Sequence, residues 1–303
     1  MALSIRPIHP AFAGEVTGID CGVPLSPEDV AAIEAAMDQH AVLVFRHQPL
    51  TDQQQIDFTR HFGELEGYNS GGHIRKKDDS RLGSGMADFS NLDKSGRIMA
   101  NTDRVWFFKL GDRLWYSDSS FRPIPAKYSL LSGRVIPSWG ANTDFADMRA
   151  AYDALDQRTK NEVEDLVCEH SLMFSREAIG FTDLTLEERE AFRPVRQKLV
   201  RTHPKTGRKS LFLSSHAGTI VGWTVPEARM FLRDLTEFAT QERFVYSHVW
   251  QVGDLVVWDN RTTMHRARRF DQNEIRDVRR TTLGGDVATM EQPDETAAAL
   301  PHA

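Results

Sequence analysis

The chain has few cysteines, no basic excess and no long apolar run. Its 303 residues include two cysteines, Cys21 and Cys168, which excludes a disulfide framework and a thiolate metal site and leaves two buried thiols as the expectation. Lys and Arg number 37 against 43 Asp and Glu, and the formal net charge at pH 7 is −6. This balance argues against nucleic acid as the main partner, because phosphate binders usually carry a basic excess.

Membrane and secretion signals are also missing. No segment approaches the roughly 18 consecutive apolar residues of a membrane helix. The first residues lack the charged-then-apolar pattern of a signal peptide. We therefore expect a cytoplasmic protein without a membrane partner. No repeat period stands out, which argues against solenoids and propellers.

The length and composition fit one large globular domain. Hydrophobic residues make up 40% and charged residues 26% of the chain, which is ordinary for a protein with a substantial core. From about Asp286 the residues are mostly small or polar, with two prolines and no apolar periodicity. This composition is typical of a frayed terminus. We expect a single domain over residues 1–286 and a disordered tail over residues 287–303.

Helix start signals mark three segments, and a fourth segment is also expected to be helical. Ser26 precedes a proline and two acids, Thr51 has capping-box spacing, and Thr224 opens a run with apolar residues at helical intervals. The fourth region covers residues 147–167. Short apolar, β-branched or aromatic runs predict strands, and they lie at residues 41–45, 199–213 (two strands around a turn), 244–250 and 255–258. The strands lack βα alternation, which favours an antiparallel sandwich or barrel with helices packed outside.

Two segments stand out as candidates for chemistry. Residues 114–121 and 257–266 each place a potential metal ligand beside a strand-like run, and the second is followed by three arginines. Other histidines have no paired ligand at a useful spacing, and we assign structural roles to His9, His40, His47, His61, His73, His170 and His302. The patterns around His203 and His216 leave a pocket role and a structural role equally open.

These segments resemble the taurine and 2,4-dichlorophenoxyacetate dioxygenase family of iron(II), 2-oxoglutarate-dependent oxygenases. The aryloxyalkanoate dioxygenases are the closer match. The resemblance spans nearly the whole chain, at residues 42–50, 62–66, 90–91, 115–121, 147–155, 258–261 and 265–266. It implies a mainly β fold with flanking helices, a double-stranded β-helix (jelly roll, cupin-like).

The family holds iron with a facial triad of two histidines and one carboxylate, which leaves positions open for a 2-oxoacid and oxygen. The resemblance assigns the carboxylate to Asp118 and the distal histidine to His265. Tyr116 occupies the position of the first histidine. A neutral phenol, with a pKa of about 10, is a poor iron(II) ligand, and a phenolate favours iron(III). Three outcomes are open: Tyr116 swings away, binds as phenolate, or marks a substitution that abolished turnover.

The resemblance also assigns residues to the co-substrate and the prime substrate. Arg276, eleven residues after His265, pairs with the far carboxylate of 2-oxoglutarate, supported by the hydroxyl of Thr143. By the same resemblance Arg280 is at the position of the clamp for the anionic end of the substrate, and alternation along a strand puts it on the same face as Arg276. Arg279 is then a surface charge.

Residues 68–109 are rich in glycine, serine and charge and are expected to form a substrate lid. Within it Arg97 lies where close relatives carry a basic residue that holds the substrate anion. His73, Arg75 and Lys76 are expected to be solvated. Ser119 is expected to line the pocket beside the metal.

The resemblance implies a dioxygenase that uses iron(II), 2-oxoglutarate and O2 on a small anionic organic substrate, an aryloxyalkanoate or a sulfonate. Hydroxylation beside an ether oxygen gives an unstable product that breaks into a phenol and an oxoacid. Two alternatives stay open: a catalytically impaired or non-catalytic relative that binds a 2-oxoacid or anion, and a tyrosine-ligated iron oxygenase with a different oxidation. A jelly roll of this size often associates, so a homo-oligomer is among the expected states.

Overall fold

The structure, a computed structural model, describes residues 3–67 and 80–291 and is built mainly from strands with helices at their flanks. The strands are β1 (Ser4–Pro7), β2 (Gly14–Thr17), β3 (Val42–Phe45), β4 (Ala87–Asp88), β5 (Tyr128–Val135), β6 (Thr143–Asp147), β7 (Val167–His170), β8 (Val195–Lys198), β9 (Val200–Thr202), β10 (Lys209–Leu211), β11 (Ala217–Ile220), β12 (Val245–His248), β13 (Leu255–Asp259), β14 (Thr263–Ala267) and β15 (Asp277–Thr282). The helices are α1 (Pro27–His40), α2 (Asp52–Arg60), α3 (Arg104–Lys109), α4 (Met148–Asp153), α5 (Gln157–Val163), α6 (Leu172–Glu177), α7 (Leu186–Ala191) and α8 (Val225–Ala239). Short 3-10 helices lie at Leu110–Arg113, Glu242–Phe244 and Thr289–Glu291.

The main sheet has the strand order β1-β2-β3-β13-β5-β15-β4. Its pairs are antiparallel except β2 with β3. The predicted strands at residues 41–45 and 255–258 are confirmed as β3 and β13, which lie side by side and are completely buried. A continuous apolar run is expected for a strand covered on both faces.

The two faces of the main sheet meet different layers. On one face Leu43 and Phe45 pack with Ile33 of α1 and Phe58 of α2. On the other face the alternate residues of β3 and β13 pack with Phe145 of β6. Phe145 belongs to a second sheet of order β12-β6-β14. The space between these two sheets is where the candidate site residues meet.

The three predicted helix starts are confirmed, two of them by side-chain caps. The Ser26 hydroxyl accepts a hydrogen bond from the Asp29 amide at 3.1 Å, and Thr51 forms the complete capping box. Helix α8 begins where predicted, but the Thr224 hydroxyl donates to the Glu227 carboxylate at 2.6 Å and does not cap the backbone. The predicted strand pair within residues 199–213 is confirmed as β9 and β10.

The helical region predicted over residues 147–167 differs from the structure. It contains two short helices, α4 and α5, and β7 begins at Val167. The break has a local cause, because Asp156 takes an extended backbone conformation and accepts a hydrogen bond from the Thr159 amide at 2.9 Å as the N-cap of α5. One helix therefore ends and a second starts within a few residues.

Ordered structure continues past the boundary predicted at Asp286. Thr289 is completely buried, and its hydroxyl donates to Gln197 and accepts from the Lys198 amide. Residues 292–303, and the predicted lid residues 68–79 with His73, Arg75 and Lys76, lie outside the described residues, as does His302. Both cysteines are buried and free, as predicted. Among the described residues no helix is long and apolar enough to cross a membrane.

Candidate active site

Two cavities adjoin at the candidate site. The small cavity lies between the main sheet and the β12-β6-β14 sheet, whereas the large cavity is bordered by β4 and β15 of the main sheet, by α3 and by α6. The large cavity has a volume of about 220 Å³, and the small cavity has a volume of about 80 Å³. Tyr116, Asp112 and Arg280 line both cavities. These shared residues show that the cavities meet at the position assigned to the first metal ligand.

Tyr116, Asp118 and His265 are brought together as the sequence predicts. Tyr116 exchanges two backbone hydrogen bonds with His265 of β14, at 3.0 and 2.8 Å. The ring centroids of these two residues lie 4.2 Å apart. The Nε2 atom of His265 lies 3.7 Å from Oδ2 of Asp118. Segment 114–121 therefore runs beside β14, and its residues Tyr116, Asp118, Ser119 and Phe121 line the cavities.

Burial sets the protonation of the two aromatic members of this group. Burial, and then the nearby Asp112 and Asp118 carboxylates, raise the pKa of Tyr116 well above its ordinary value. Burial lowers the pKa of His265 to about 4, although Asp118 opposes this change. At neutral pH the phenol keeps its proton and the imidazole is neutral.

A directed chain of hydrogen bonds holds the Asp118 carboxylate. The indole N–H of Trp258 donates to Oδ1 of Asn260 at 2.9 Å, and the Asn260 amide donates to the Ser129 hydroxyl at 2.9 Å. Because an indole can only donate, the amide oxygen of Asn260 faces Trp258 and its NH2 group faces Ser129. The Ser129 hydroxyl therefore accepts from Asn260, and its single proton points to Oδ2 of Asp118, 2.7 Å away. The other oxygen of Asp118 accepts from Arg280.

Arg276 enters the small cavity as a buried cation. Its Nη1 donates to the Phe89 carbonyl at 2.8 Å, while its Nε is buried without a hydrogen-bond partner. No carboxylate within the described residues forms an ion pair with it. Burial lowers the pKa of Arg276 to about 10, so it is charged at neutral pH. A buried charge without a counterion is unfavourable, and the cavity in front of it suits a small carboxylate.

Thr143 lines the same cavity at the start of β6. Its hydroxyl accepts a hydrogen bond from the Trp250 indole at 3.0 Å. The turn before it requires Gly140, which has a φ of 74° and whose Cβ, if present, would lie 2.1 Å from the Arg269 carbonyl oxygen. The predicted co-substrate pair, Thr143 and Arg276, is thus brought to one cavity.

Arg280 lies on the interior side of β15, as the alternation predicts. Arg276 and Arg280 both line the small cavity, and Val278 is completely buried. Arg280 also lines the large cavity, where it pairs with Asp118. Arg279 points away and forms ion pairs of 2.8 Å with Asp52 and Asp277. It is less exposed than a free surface charge, with 22% of its side chain accessible.

Ser119 lines the large cavity, whereas Arg97 reaches neither cavity. The Ser119 hydroxyl donates to Glu66 at 2.8 Å. The Arg97 side chain is 82% exposed and folds back onto its own turn, with Nε donating to Ser95 at 2.9 Å and lying 3.6 Å from Asp93. The predicted substrate contact of Arg97 therefore has no support in this structure.

The large cavity contains charged residues that sequence reasoning missed. They are Glu66, Asp88, Lys109, Asp112 and Arg176. Burial raises the pKa of Asp112, against the pull of Arg176 at 3.4 Å. Burial also raises the pKa of Glu66, against Arg122. No local pattern marks these residues, because separate parts of the chain bring them together.

One wall of the large cavity is apolar and partly aromatic. It is formed by Met86, Phe89, Val105, Phe108, Phe121 and Leu172. Several of these residues come from the described part of the predicted lid, residues 80–109. The wall faces the charged side of the cavity, so the space suits a molecule with an apolar body and an anionic end.

The structure separates the two histidines whose roles the sequence left open. His216 lines the large cavity, and its Nδ1 lies 2.9 Å from the Ser175 hydroxyl. Burial lowers the pKa of His216 well below its ordinary value, so its imidazole is neutral. His203 lies 3.4 Å from Asp259 and 3.8 Å from Asp38, away from both cavities. Of the other histidines within the described residues, only His265 lines either of these two cavities.

A metal ion would find two strong donors here. Within residues 3–67 and 80–291 no group of three His, Cys, Asp or Glu side chains is placed to hold a metal ion. Asp118 and His265 can each supply a donor, whereas Tyr116 offers a phenol, which is a poor iron(II) ligand. One oxygen of Asp118 is engaged by Arg280. The residues present do not fit the three-ligand iron site that the resemblance implies.

Comparisons with known proteins show the family to which the chain belongs. The model of the taurine catabolism dioxygenase TauD, TfdA family matches residues 4–282. The chain is 45% identical to an alpha-ketoglutarate-dependent 2,4-dichlorophenoxyacetate dioxygenase of Cupriavidus pinatubonensis, over 94% of this chain and 99% of that protein. It is 36% identical to an (S)-phenoxypropionate/alpha-ketoglutarate-dioxygenase of Sphingobium herbicidovorans, over 95% of this chain and 97% of that protein.

A solved structure shows the same architecture. The crystal structure of AAD-2 in complex with Mn(II) and N-oxalylglycine superimposes with a TM-score of 0.93 at 56% sequence identity, covering 95% of this chain and 100% of that chain. The family match and these identities extend over nearly the whole length. The chain therefore belongs to the TauD, TfdA family and is, by resemblance, a dioxygenase dependent on iron(II), 2-oxoglutarate and O2.

Proposed function

We propose that this chain binds 2-oxoglutarate in the small cavity and a small aryloxyalkanoate in the large cavity, and that Tyr116 limits its turnover. The observation that carries the proposal is the buried guanidinium of Arg276, which faces the small cavity beside Thr143 without an ion-pair partner in the described residues. Arg276 therefore places a positive charge at the small cavity before a carboxylate binds.

The far carboxylate of 2-oxoglutarate pairs with Arg276. A planar guanidinium makes two parallel charge-assisted hydrogen bonds to a carboxylate, which gives both affinity and orientation. Thr143 adds a hydroxyl donor. The keto-acid end of the molecule then lies toward Tyr116, Asp118 and His265, where the two cavities meet.

The aryl group of the substrate lies against the apolar wall of the large cavity, with Phe108 and Phe121 as its aromatic contacts. Its carboxylate is directed to Arg280, on the side of the cavity that Ser119 lines. This arrangement is supported by the division of the cavity into an apolar and a charged side. It is also in line with the phenoxyacetate and phenoxypropionate dioxygenases among the relatives. Hydroxylation beside the ether oxygen would then release a phenol and an oxoacid.

In the family the iron ion supplies the activation of O2, and this chain keeps two of its three ligands. We place Asp118 and His265 as those ligands. The neutral phenol of Tyr116 and the pairing of Asp118 with Arg280 favour a second candidate function: a protein that binds 2-oxoacid and substrate with little turnover. The two cavities serve binding in both cases.

We also propose that the facing sheets form a double-stranded β-helix and that residues 1–286 act as one catalytic domain. The small cavity lies between the main sheet and the β12-β6-β14 sheet, which supports this architecture. A cytoplasmic location and a homo-oligomer remain predictions.

The test is succinate production from 2-oxoglutarate with iron(II), ascorbate and a panel of aryloxy acids and sulfonates. The unaltered chain is compared with its Tyr116→His variant. Turnover by the variant alone supports the pocket assignments and the limiting role of Tyr116. Comparable turnover by both chains rejects that role, and turnover of sulfonates but not aryloxy acids rejects the substrate class.

A further inference from the structure

We propose that Trp250 is a positioning residue for 2-oxoglutarate, acting through the hydroxyl of Thr143. The inference rests on the proposed function, because it concerns the small cavity as the site of the 2-oxoacid. Trp250 does not line either cavity. It lies behind Thr143, and its indole Nε1 is 3.0 Å from the Thr143 oxygen.

The direction of this hydrogen bond is decided by chemistry. A hydroxyl can donate or accept, and its proton rotates to suit its surroundings, whereas an indole N–H can only donate. The Thr143 oxygen must therefore accept from Trp250. Its single proton stays free to turn into the small cavity, since the Thr143 hydroxyl has no other hydrogen bond within the part of the chain that the structure describes. A carboxylate is an acceptor only, so the hydroxyl is set as the matching donor.

Trp250 itself is held firmly from two sides. Its ring meets the His248 ring edge to face, with centroids 4.6 Å apart. On the other side β5 approaches closely at Gly133, where a Cβ would lie 3.2 Å from Cε3 of Trp250 and 3.1 Å from the Gln251 carbonyl oxygen. A side chain at position 133 would press on the indole. The close approach of β5 therefore restricts the movement of the indole behind Thr143.

His248 is in turn fixed by groups outside the site. Its Nε2 lies 3.1 Å from Asp254 and its Nδ1 lies 3.2 Å from the Tyr246 hydroxyl. Side chains placed by neighbouring groups lose less freedom when a ligand binds. The Thr143 hydroxyl is accordingly oriented before the 2-oxoacid enters.

The experiment is a double-mutant cycle on 2-oxoglutarate binding. Dissociation constants are measured by calorimetry, with Mn(II) present, for the full chain and for Trp250→Phe, Thr143→Val and the double variant. Trp250→Phe removes the N–H and is expected to weaken 2-oxoglutarate binding about fivefold, the effect of about one hydrogen bond. In the Thr143→Val background the same change should have almost no effect, because there is no hydroxyl left to orient.

Two controls separate positioning from packing. Trp223→Phe makes the same change at an indole that packs on Phe231, remote from the cavities, and should leave 2-oxoglutarate binding unchanged. Affinity for 2,4-dichlorophenoxyacetate should also be unchanged in Trp250→Phe. If Trp250→Phe does not fold, benzothienylalanine at position 250 keeps the ring shape and removes only the donor.

The outcomes distinguish this inference from the proposed function. Unchanged 2-oxoglutarate affinity in Trp250→Phe, or a loss of equal size with and without the Thr143 hydroxyl, overturns the positioning role alone. Failure of the unaltered chain to bind 2-oxoglutarate overturns both proposals. A loss that depends on the Thr143 hydroxyl supports the role.

Discussion

Arg276 and Arg280 lie four residues apart and line the same cavity, yet they differ in their ion pairs. The Nε atoms of both are buried without a hydrogen-bond partner, but Arg276 also has no ion-pair partner in the described residues. Arg280 is paired with the buried carboxylate of Asp118. A ligand carboxylate at Arg276 relieves an unfavourable buried charge, whereas one at Arg280 must compete with Asp118. The 2-oxoacid end of the site thus has a buried cation that can pair with its ligand. At the metal and substrate end, Arg280 and Asp118 already pair with each other.

The largest expected effect concerns the metal and substrate end of the site. Tyr116→His supplies a third nitrogen or oxygen donor beside Asp118 and His265, and we expect the affinity for Mn(II) to rise by at least about 100-fold. Calorimetric titration of the metal measures this change. Tyr116→Phe is the matched control and should bind Mn(II) as the unaltered chain does. Loss of metal binding in Tyr116→Phe would show that the phenol is itself a ligand and would contradict the prediction.

The second prediction concerns the 2-oxoacid end of the site. Arg276→Ala should weaken 2-oxoglutarate binding by at least about 30-fold, corresponding to about 2 kcal/mol, because the ligand carboxylate is then buried without its partner. Arg276→Lys keeps the charge but loses the planar guanidinium, so its affinity for 2-oxoglutarate should lie between those of Arg276→Ala and the unaltered chain. Calorimetry with 2-oxoglutarate measures the effect. Equal affinity for 2-oxoglutarate in Arg276→Ala and the unaltered chain would show that Arg276 does not bind the co-substrate.

Arg280→Ala should act on the other ligand. We expect 2,4-dichlorophenoxyacetate binding to fall about tenfold and 2-oxoglutarate binding to change much less. The loss is smaller than at Arg276, because Arg280 already has Asp118 as a partner and gains less from the ligand. Both affinities are measured for the same preparation. Equal losses for the two ligands would contradict the separate assignments of Arg276 and Arg280.

The smallest effect tests the hydrogen-bond chain that holds Asp118. Ser129→Ala, made in the Tyr116→His background, should lower Mn(II) affinity several-fold, because the carboxylate loses the donor that orients it. Unfolding stability should fall by about 1 kcal/mol. Ser132→Ala, on the same strand, removes a hydrogen bond to Gln55 and should reduce stability without changing metal affinity. An equal metal loss in both variants would show a general effect of destabilisation.

Local physical signals predicted much of the secondary structure. Ser26 and Thr51 cap their helices as expected, because a cap depends on neighbours within one helical turn. The buried strand at residues 42–45 follows from its continuous apolar run. The same signals failed to separate α4 from α5, because Asp156 suits both a helix surface and an N-cap, and the choice depends on the surrounding packing.

The candidate site was predicted through resemblance more than through local pattern. Spacing from His265 led to Arg276, and the structure brings Arg276 and Thr143 to one cavity. The same reasoning suggested Arg97, whose side chain is directed to Asp93 and Ser95. Asp112 and Arg176 had no signal in the sequence, although both are buried at the large cavity.

The sequence by itself determined the family, the helix starts, the buried central strands and the identity of the unusual residue at position 116. Only the tertiary structure decided which charges are paired. Arg280 meets Asp118 across 162 residues of chain, and Trp250 meets Thr143 across 107. Such contacts depend on how the sheets stack and on the burial that follows. A local pattern carries no information about either, because it reports only on neighbours within a few residues.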